Sequence, residues 1–375
     1  MDKIRLGIIG TGMQGSYHIR YLKRGEVPQV ALTAICDTNP GKLEAARQLA
    51  GEGVAAFSAA QELFSSGRVD AVLISTPHFS HPPLAIEAMQ HGLHVMVEKP
   101  SGVYTKQVKE LNAAAAKSDR VFGLMLNQRT NPVYKRLKEL VESDELGSLK
   151  RTNWIITDWY RPQRYYDNGE WRGTWAGEGG GVLLNQNPHT LDLWQWICGM
   201  PRRIFAVCYN GKYHDIEVED DVTIFAEYGD KDGATGVYVT TTGDAPGTNR
   251  LEVAGDKGKA VIEDGRLTFW RLTVPESEFS RTWDQTFGEP ECWKCEIPVK
   301  GTASMHQGIL RNWADAILHG TPLIAPGEEG IRGLEISNAI HLSAWTNRWV
   351  DLPVDEDKFY EELQKRVKAS KYKDQ

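Results

Sequence analysis

The sequence predicts an α/β protein in two parts: a doubly wound parallel sheet at the N-terminus, then an α/β part built on an antiparallel sheet. Three observations point there. A strand, a glycine turn and a helix open the chain. Apolar strands then alternate with helical patterns as far as Leu126. From about Arg203 to Arg271 the pattern becomes short alternating strands with turn residues between them, as in "DVTIFAEYGD" and "RLEVAGDKG".

In the opening stretch, "KIRLGIIGTGMQGSYHIRYLKRG", the apolar run Ile4 to Ile9 reads as a strand and about Gln14 to Lys23 as an amphipathic helix. Between them stands Gly10-x-Gly12-x-x-Gly15. The first glycine permits a tight turn, the second lets backbone approach a pyrophosphate, and the third lets helix and strand pack closely. The helix N-terminus offers free N–H groups to phosphate. A second strand, "VALTAIC", ends at Asp37, 22 residues beyond Gly15, where a carboxylate can accept hydrogen bonds from a ribose. Gly10, Thr11, Gly12, Met13, Gln14, Gly15 and Asp37 are therefore candidate contacts for a dinucleotide, and the first domain has the Rossmann pattern.

Further helices are expected over about Lys42–Ala50, Gln61–Phe64, Pro82–His91 and Lys106–Ala116, with strands at "VDAVLIST", "HVMVE" and "VFGLML". A parallel sheet of this kind binds ligands beyond the carboxyl ends of its strands. That rule adds Thr76, Pro77, His78, Glu98 and Lys99 as candidates, with the nearby His81, and Asn127 on the substrate side.

At 375 residues the chain has the length of two domains, at roughly 150 residues each. The expected division is 1–126 for the dinucleotide-binding domain and 127–375 for a substrate-binding and oligomerisation domain. "GIRGLEISNAIHLSAWTNRWVDLP" reads as a C-terminal helix, and the charged tail after it as peripheral. A net charge of -7 without a basic stripe argues against nucleic acid. The N-terminus lacks a secretory apolar region and no segment is long enough to span a membrane, so a cytoplasmic protein is expected. Five cysteines form a sparse, odd set of reduced thiols, and "CWKC" lacks a second ligand pair, so no metal is expected. The antiparallel sheet must cover its outer face somehow, which predicts a homodimer or homotetramer built on it.

Two stretches carry the remaining chemistry. "NWIITDWYRPQRYYDNGEWRGTW" interleaves tryptophans with tyrosines and arginines, and is either a packed strand with its loop or a sugar-binding surface. Its candidate contacts are Tyr160, Arg161 and Trp175. "GGGVLLNQNPHTLDLWQW" places Asn185 and His189 four apart, and residues four apart on a helix share a face. Asn185 could equally cap a helix. Asp192 could orient the imidazole or be a surface charge. Lys99, in "EKP", is either an ion-paired loop lysine or a functional one.

"GIIGTGMQG", "STPHFSHPPLAIEAMQHGLHVMVEKP" and "GGGVLLNQNPHTLD" together resemble the Gfo/Idh/MocA family of NAD(P)-dependent sugar and polyol oxidoreductases, over roughly Ile4 to Leu352. The resemblance implies a Rossmann domain followed by an α/β domain with a large, open, mostly antiparallel sheet. It implies NAD as cofactor, since Asp37 opposes a 2′-phosphate, and a sugar, glycoside or inositol whose secondary hydroxyl is oxidised. It places Lys99 beside the nicotinamide and the substrate hydroxyl, and makes His189 the acid/base. Where many members carry an aspartate one turn before that histidine, this chain has Asn185. Two rival readings keep the fold: an oxidoreductase that holds and internally recycles NAD(H), and a non-catalytic NAD(P)-sensing regulator.

Overall fold

A computed structural model describes residues 3–169, 171–229 and 233–371. The chain divides into two units, one running through Thr130 and taking in Ser304–Leu334, the other holding Asn131–Ala303 and the chain from Glu335 onward.

The first unit is a six-stranded parallel sheet of β1 (Ile4–Ile9), β2 (Val30–Cys36), β3 (Ala55–Phe57), β4 (Ala71–Ile74), β5 (His94–Val97) and β6 (Phe122–Leu124), in the order β3-β2-β1-β4-β5-β6. Between strands run α1 (Met13–Lys23), α2 (Pro40–Ala50), α3 (Ala60–Ser65), α4 (His81–Gln90) and α5 (Thr105–Ala115). The central strand β1 buries Ile4, Leu6 and Ile8 completely, as a parallel strand covered on both faces should. Each such side chain contributes about 1.5–3 kcal/mol on burial. Strand order reverses between β1, which pairs with β2 on one side, and β4 on the other. A crevice at that reversal, beyond the carboxyl ends of β1 and β4, is where doubly wound sheets take ligands. The edge strand β3 was too short for its apolar period to announce it.

The second unit centres on a nine-stranded sheet. Its elements are α6 (Pro132–Glu142), β7 (Leu149–Ile156), α7 (Gln163–Asp167), α8 (Val182–Asn185), α9 (Pro188–Cys198), β8 (Arg203–Asn210), β9 (Glu219–Glu227), β10 (Thr235–Thr241), β11 (Asn249–Gly255), β12 (Gly258–Glu263), β13 (Arg266–Leu272), α10 (Glu276–Thr282), β14 (Cys292–Ile297) and the short β15 (Val350–Asp351). Strand order is β14-β13-β12-β11-β7-β10-β9-β8-β15, and apart from the parallel pair β7 and β10 every pairing is antiparallel. Period-two alternation turns Trp154, Ile224, Tyr238 and Leu251 to one face, where all four are buried. Trp194 of α9 packs there, its indole N–H donating to Thr152 Oγ1 at 2.9 Å. The opposite face shows Ile155, Val207 and Phe225, the last 54% exposed.

Three expectations need correction. The stretch assigned to the second domain includes α11 (Met305–His319), which returns to the first unit. Its Leu310 and Trp313 are buried in the same core as the parallel strands. Gly123 of β6 leaves room for Trp313, whose ring would lie 2.9 Å from a Cβ there. An amphipathic helix does not announce which core it joins, so sequence alone put this one in the wrong domain. The chain then runs through α12 (Gly330–Thr346) to α13 (Glu356–Ala369), and here the tail read as peripheral is anchored. Phe359 is buried and stacks on Trp345 at 5.3 Å, while Glu217 accepts from Ser370 Oγ and Lys371 N–H, each at 2.6 Å. Third, the helix expected to carry both Asn185 and His189 is broken between α8 and α9.

Cys292 and Cys295 stand three apart on β14, so they point to opposite faces of the strand, and both are free thiols. Among the described residues no helix is long and apolar enough to cross a membrane, and no group of three or more His, Cys, Asp or Glu is arranged to hold a metal ion.

Candidate functional site

In the first unit the glycine turn fits a dinucleotide on local sterics. Gly10 has φ +85°, and a Cβ on it would lie 2.6 Å from the Ser75 carbonyl oxygen. A Cβ on Gly15 would collide with the Gly10 carbonyl, so the third glycine lets α1 sit against the turn. Around Gly12 the space is open, nothing lying within 4 Å of where a Cβ would be. Gly12 is also the N-cap of α1 and makes no side-chain cap, so the first N–H groups of α1 gain no capping side chain there. The backbone can therefore approach a pyrophosphate at this point, flanked by the exposed Met13. Asp37 is fixed at the end of β2: its Oδ2 accepts from Thr11 N–H at 2.8 Å and Thr11 Oγ1 at 3.0 Å, and its Oδ1 from Asn39 N–H at 2.9 Å.

Beyond β4, Thr76 Oγ1 accepts from Ser80 Oγ at 2.7 Å, and Pro77 is exposed. His78 and His81 are buried, and both ring nitrogens of His81 face backbone carbonyls, Pro100 and Thr76, each at 2.7 Å. Burial holds the His81 ring below the usual histidine range, against the pull of those carbonyls. His81 thus ties the end of β4 to the loop after β5.

Glu98 is likewise tied into the unit's interior. It is 4% exposed, and its Oε1 accepts from His18 Nε2 at 2.7 Å and Gln14 Nε2 at 3.1 Å, while its Oε2 accepts from Lys99 N–H at 3.2 Å. Burial alone would raise this carboxyl, but His18, His306 and the Lys99 ammonium hold it at about 2. Lys99 follows β5 directly and is half-buried. Asn127 is buried against His306, its Nδ2 lying 3.0 Å from the ring Nε2, and Gln14 Nε2 meets the same nitrogen at 3.0 Å. Two amides converging on one ring nitrogen require it to accept, hence a neutral ring. Burial, His18 and Lys99 push His306 down to about 4, against the opposing charge of Glu98. Sequence reasoning missed His306, because α11 had been placed in the other domain.

In the second unit the glycine run serves Glu219. Gly181 N–H donates to its carboxylate at 2.9 Å and Leu183 N–H at 3.0 Å, and a Cβ on Gly181 would collide with the Glu219 carbonyl. Burial opposes the ionised form, yet His341, 3.0 Å away, and these N–H groups hold Glu219 below the usual carboxylate range. Asn187, not Asn185, is the N-cap of α9, and its amide turns instead to Tyr238 OH at 2.6 Å and Thr240 Oγ1 at 2.8 Å. Pro188 occupies the first turn, where its missing N–H costs nothing. His189, buried, follows in that turn. The break removes the argument that Asn185 and His189 share one helix face. Asp192 accepts from Gln195 Nε2 at 3.0 Å.

Asn185 closes α8 and faces a cluster that sequence reasoning did not name. Its Nδ2 donates to Tyr165 OH at 3.2 Å and to the Glu178 carboxyl. Tyr165 OH also accepts from Arg172 Nη1 at 2.7 Å and Gln186 Nε2 at 3.2 Å. Arg161 stacks over the Tyr165 ring at 5.2 Å, so Asn185 and Arg161 gather round one tyrosine, while Tyr160 is exposed on the adjoining loop. Trp175 is 5% exposed and sits edge-on to Trp345 at 5.6 Å. The signal that could have found Glu178 is a lone acid inside the glycine-rich "GEGGG".

Two family models match the chain in tandem and together take in more than half of it: residues 4–126 match an oxidoreductase family model described as an NAD-binding Rossmann fold, and residues 134–261 match a GFO/IDH/MocA C-terminal domain. Myo-inositol 2-dehydrogenase of Thermotoga maritima is 28% identical over 93% of this chain and 98% of its own length. Rhizopine catabolism protein MocA of Rhizobium meliloti is 27% identical over 55% of this chain, and the match spans only 61% of that relative. Among solved structures, the WlbA dehydrogenase of Bordetella pertussis, in complex with NADH and UDP-GlcNAcA, superposes with a TM-score of 0.79 at 26% identity, over 94% of this chain and 100% of that one.

Proposed function

The chain belongs to the Gfo/Idh/MocA family of oxidoreductases, with an NAD-binding Rossmann domain, and from that premise we propose that it oxidises a secondary hydroxyl of a cyclic sugar, glycoside or inositol, or runs the reverse reduction. The observation that carries this reading is Lys99 at the carboxyl end of β5, in the unit whose glycine turn is open at Gly12. The names of two relatives, a myo-inositol dehydrogenase and a dehydrogenase bound to a nucleotide sugar, support the substrate class.

NAD, when bound, would supply the acceptor for the hydride of the carbinol carbon. Gly10 to Gly15 would hold its pyrophosphate and Asp37 its adenosine ribose, with Thr76, Pro77 and His78 at the neighbouring strand end. Lys99 steadies the substrate oxygen and stabilises negative charge developing on it, and His189 receives the hydroxyl proton. Assigning both to one oxygen rests on the family resemblance. Asn185, Arg161 and Tyr160 contact the sugar, and Asn127 acts from the Rossmann side. A homodimer or homotetramer forms on the sheet face that shows Ile155, Val207 and Phe225, which is otherwise an exposed apolar surface.

The test is NADH formation by the purified protein with NAD and a panel of myo-inositol, free sugars and glycosides. Turnover of at least one cyclic polyol is expected. A protein that binds NAD and reduces it with no member of the panel would overturn the reading in favour of a non-catalytic NAD-binding role.

A further inference from the structure

β14 is the outermost strand of the nine-stranded sheet, and β13 is its only strand neighbour. Among the described residues no backbone hydrogen bond other than those to β13 reaches Cys292–Ile297, so one row of main-chain N–H and C=O groups is left for another strand. Every residue of β14 is exposed or half-buried. α10, which precedes it in the chain, does not cover this edge. Glu276 pairs with Lys150 of β7, and Ser277 N–H donates at 2.9 Å to Asp256, between β11 and β12, so α10 is drawn toward the inner strands.

The side chains decide what can pair there. The register with β13 sets Cys295 opposite Phe269 and Ile297 opposite Leu267, so Trp293, Cys295 and Ile297 share the face on which Leu267 and Phe269 are buried. Trp293 is nevertheless 56% exposed. Lys294 and Glu296 take the other face, both exposed.

We infer that β14 pairs antiparallel with β14 of a second copy of this chain, about a two-fold axis at Cys295, and joins the two sheets edge to edge. An interface of this symmetry repeats every contact twice. With Cys295 opposite its own copy, Lys294 meets Glu296 twice and Trp293 meets Ile297 twice. The neighbouring registers that keep each face with its like move the axis to Lys294 or to Glu296, and put lysine on lysine or glutamate on glutamate. Opposed unlike charges and aromatic–β-branched pairs favour strand pairing, whereas opposed like charges disfavour it. A lysine on an edge commonly guards it against other strands. Here the strand carries the complement of its own lysine two residues on, so a second copy satisfies the charge that would repel a stranger. The edge is separate from the sheet face that shows Ile155, Val207 and Phe225, and the inference does not rest on the assembly proposed for that face.

The experiment is sedimentation equilibrium of the full-length protein at low salt, as wild type, Lys294→Glu, Glu296→Lys, and the double exchange that carries both. Each single variant sets like charges opposite one another twice, and should weaken the association by roughly ten- to a hundredfold. It should then sediment at half the wild-type mass at concentrations where the wild type is assembled. The double exchange should regain the wild-type mass. So should an equimolar mixture of the two single variants, because the two glutamates of one chain then meet the two lysines of the other. Amide hydrogen exchange of the wild type should slow along β14 in the assembled protein and quicken on dilution. Equal masses for the wild type and the single variants, or a mixture that stays apart, would overturn the inference. So would β14 amides whose exchange ignores dilution, which would leave the sheet face as the interface.

Discussion

Glu98 and Glu178 are both buried carboxyls, one in the stretch that closes on "EKP" and the other just before the "GGG" run, yet one is held at about 2 and the other is raised to about 7. Burial pushes both upward. Around Glu98 a histidine hydrogen bond, a second histidine and the Lys99 ammonium overcome it. Around Glu178 one arginine at 4.0 Å, one backbone N–H and one amide do not, and Glu219 adds like charge. The charge state of a buried acid is therefore set by its partners and not by its depth. The Rossmann unit carries a permanent charge beneath its lysine, whereas the second unit carries a proton that can be exchanged.

Removing each carboxyl should sharpen that contrast most. Glu98→Ala strands the His18 ring and the Gln14 amide around a lost charge, so urea denaturation at neutral pH should show a loss of about 3–5 kcal/mol. Glu178→Ala should cost about 1–3 kcal/mol, the usual penalty of leaving buried neutral donors unsatisfied. Equal losses would break the comparison.

The pH dependence of stability should differ in sign. Glu178 has a folded value above its ordinary 4.5, so its contribution is fully present below 4.5 and is lost as pH rises to about 7. The swing is about 3 kcal/mol, and Glu178→Gln should flatten the curve over that window. Glu98 is depressed, so its contribution is present above 4.5 and is lost as pH falls toward about 2. Glu98→Gln should remove that acid limb and leave the neutral one. Denaturation curves recorded at a series of pH values check both slopes.

A smaller effect is expected at Asp37, the third carboxylate beside a signature. It should accept from the ribose hydroxyls of NAD and repel a 2′-phosphate. Asp37→Ala should lower the preference for NAD over NADP by roughly one to two orders of magnitude, the value of a charge-assisted hydrogen bond. Comparison of kcat/KM for the two cofactors measures it, and a wild-type protein that already prefers NADP would contradict it.

What could be read from the sequence was local. The roles proposed for Gly10, Gly12 and Gly15 follow from a spacing of six residues, and the structure shows a positive φ at Gly10, open space at Gly12 and close packing at Gly15. The parallel and antiparallel sheets follow from apolar periods within single strands. His306 and Glu178 were out of reach because their meaning is long-range. His306 reaches Gln14 across 292 residues, and Glu178 matters through an amide seven residues away that a helix reading assigned to another face. Asn187 and Pro188 broke that helix, and a pattern of apolar residues continuing through both sides hid the break. Trp175 could be read as packing or as a sugar contact, and its ring partners, Trp345 and His341, lie far along the chain.

The claim that Lys99 serves the chemistry while the glycine turn and Asp37 hold the cofactor is tested most directly by Lys99→Met, assayed for NAD affinity and for turnover of the panel substrate that the wild type oxidises fastest. The substitution keeps much of the side-chain volume and removes its charge. Turnover should fall by about two to four orders of magnitude with NAD affinity retained. Near-normal turnover, or a loss of turnover matched by an equal loss of NAD affinity, would contradict the account.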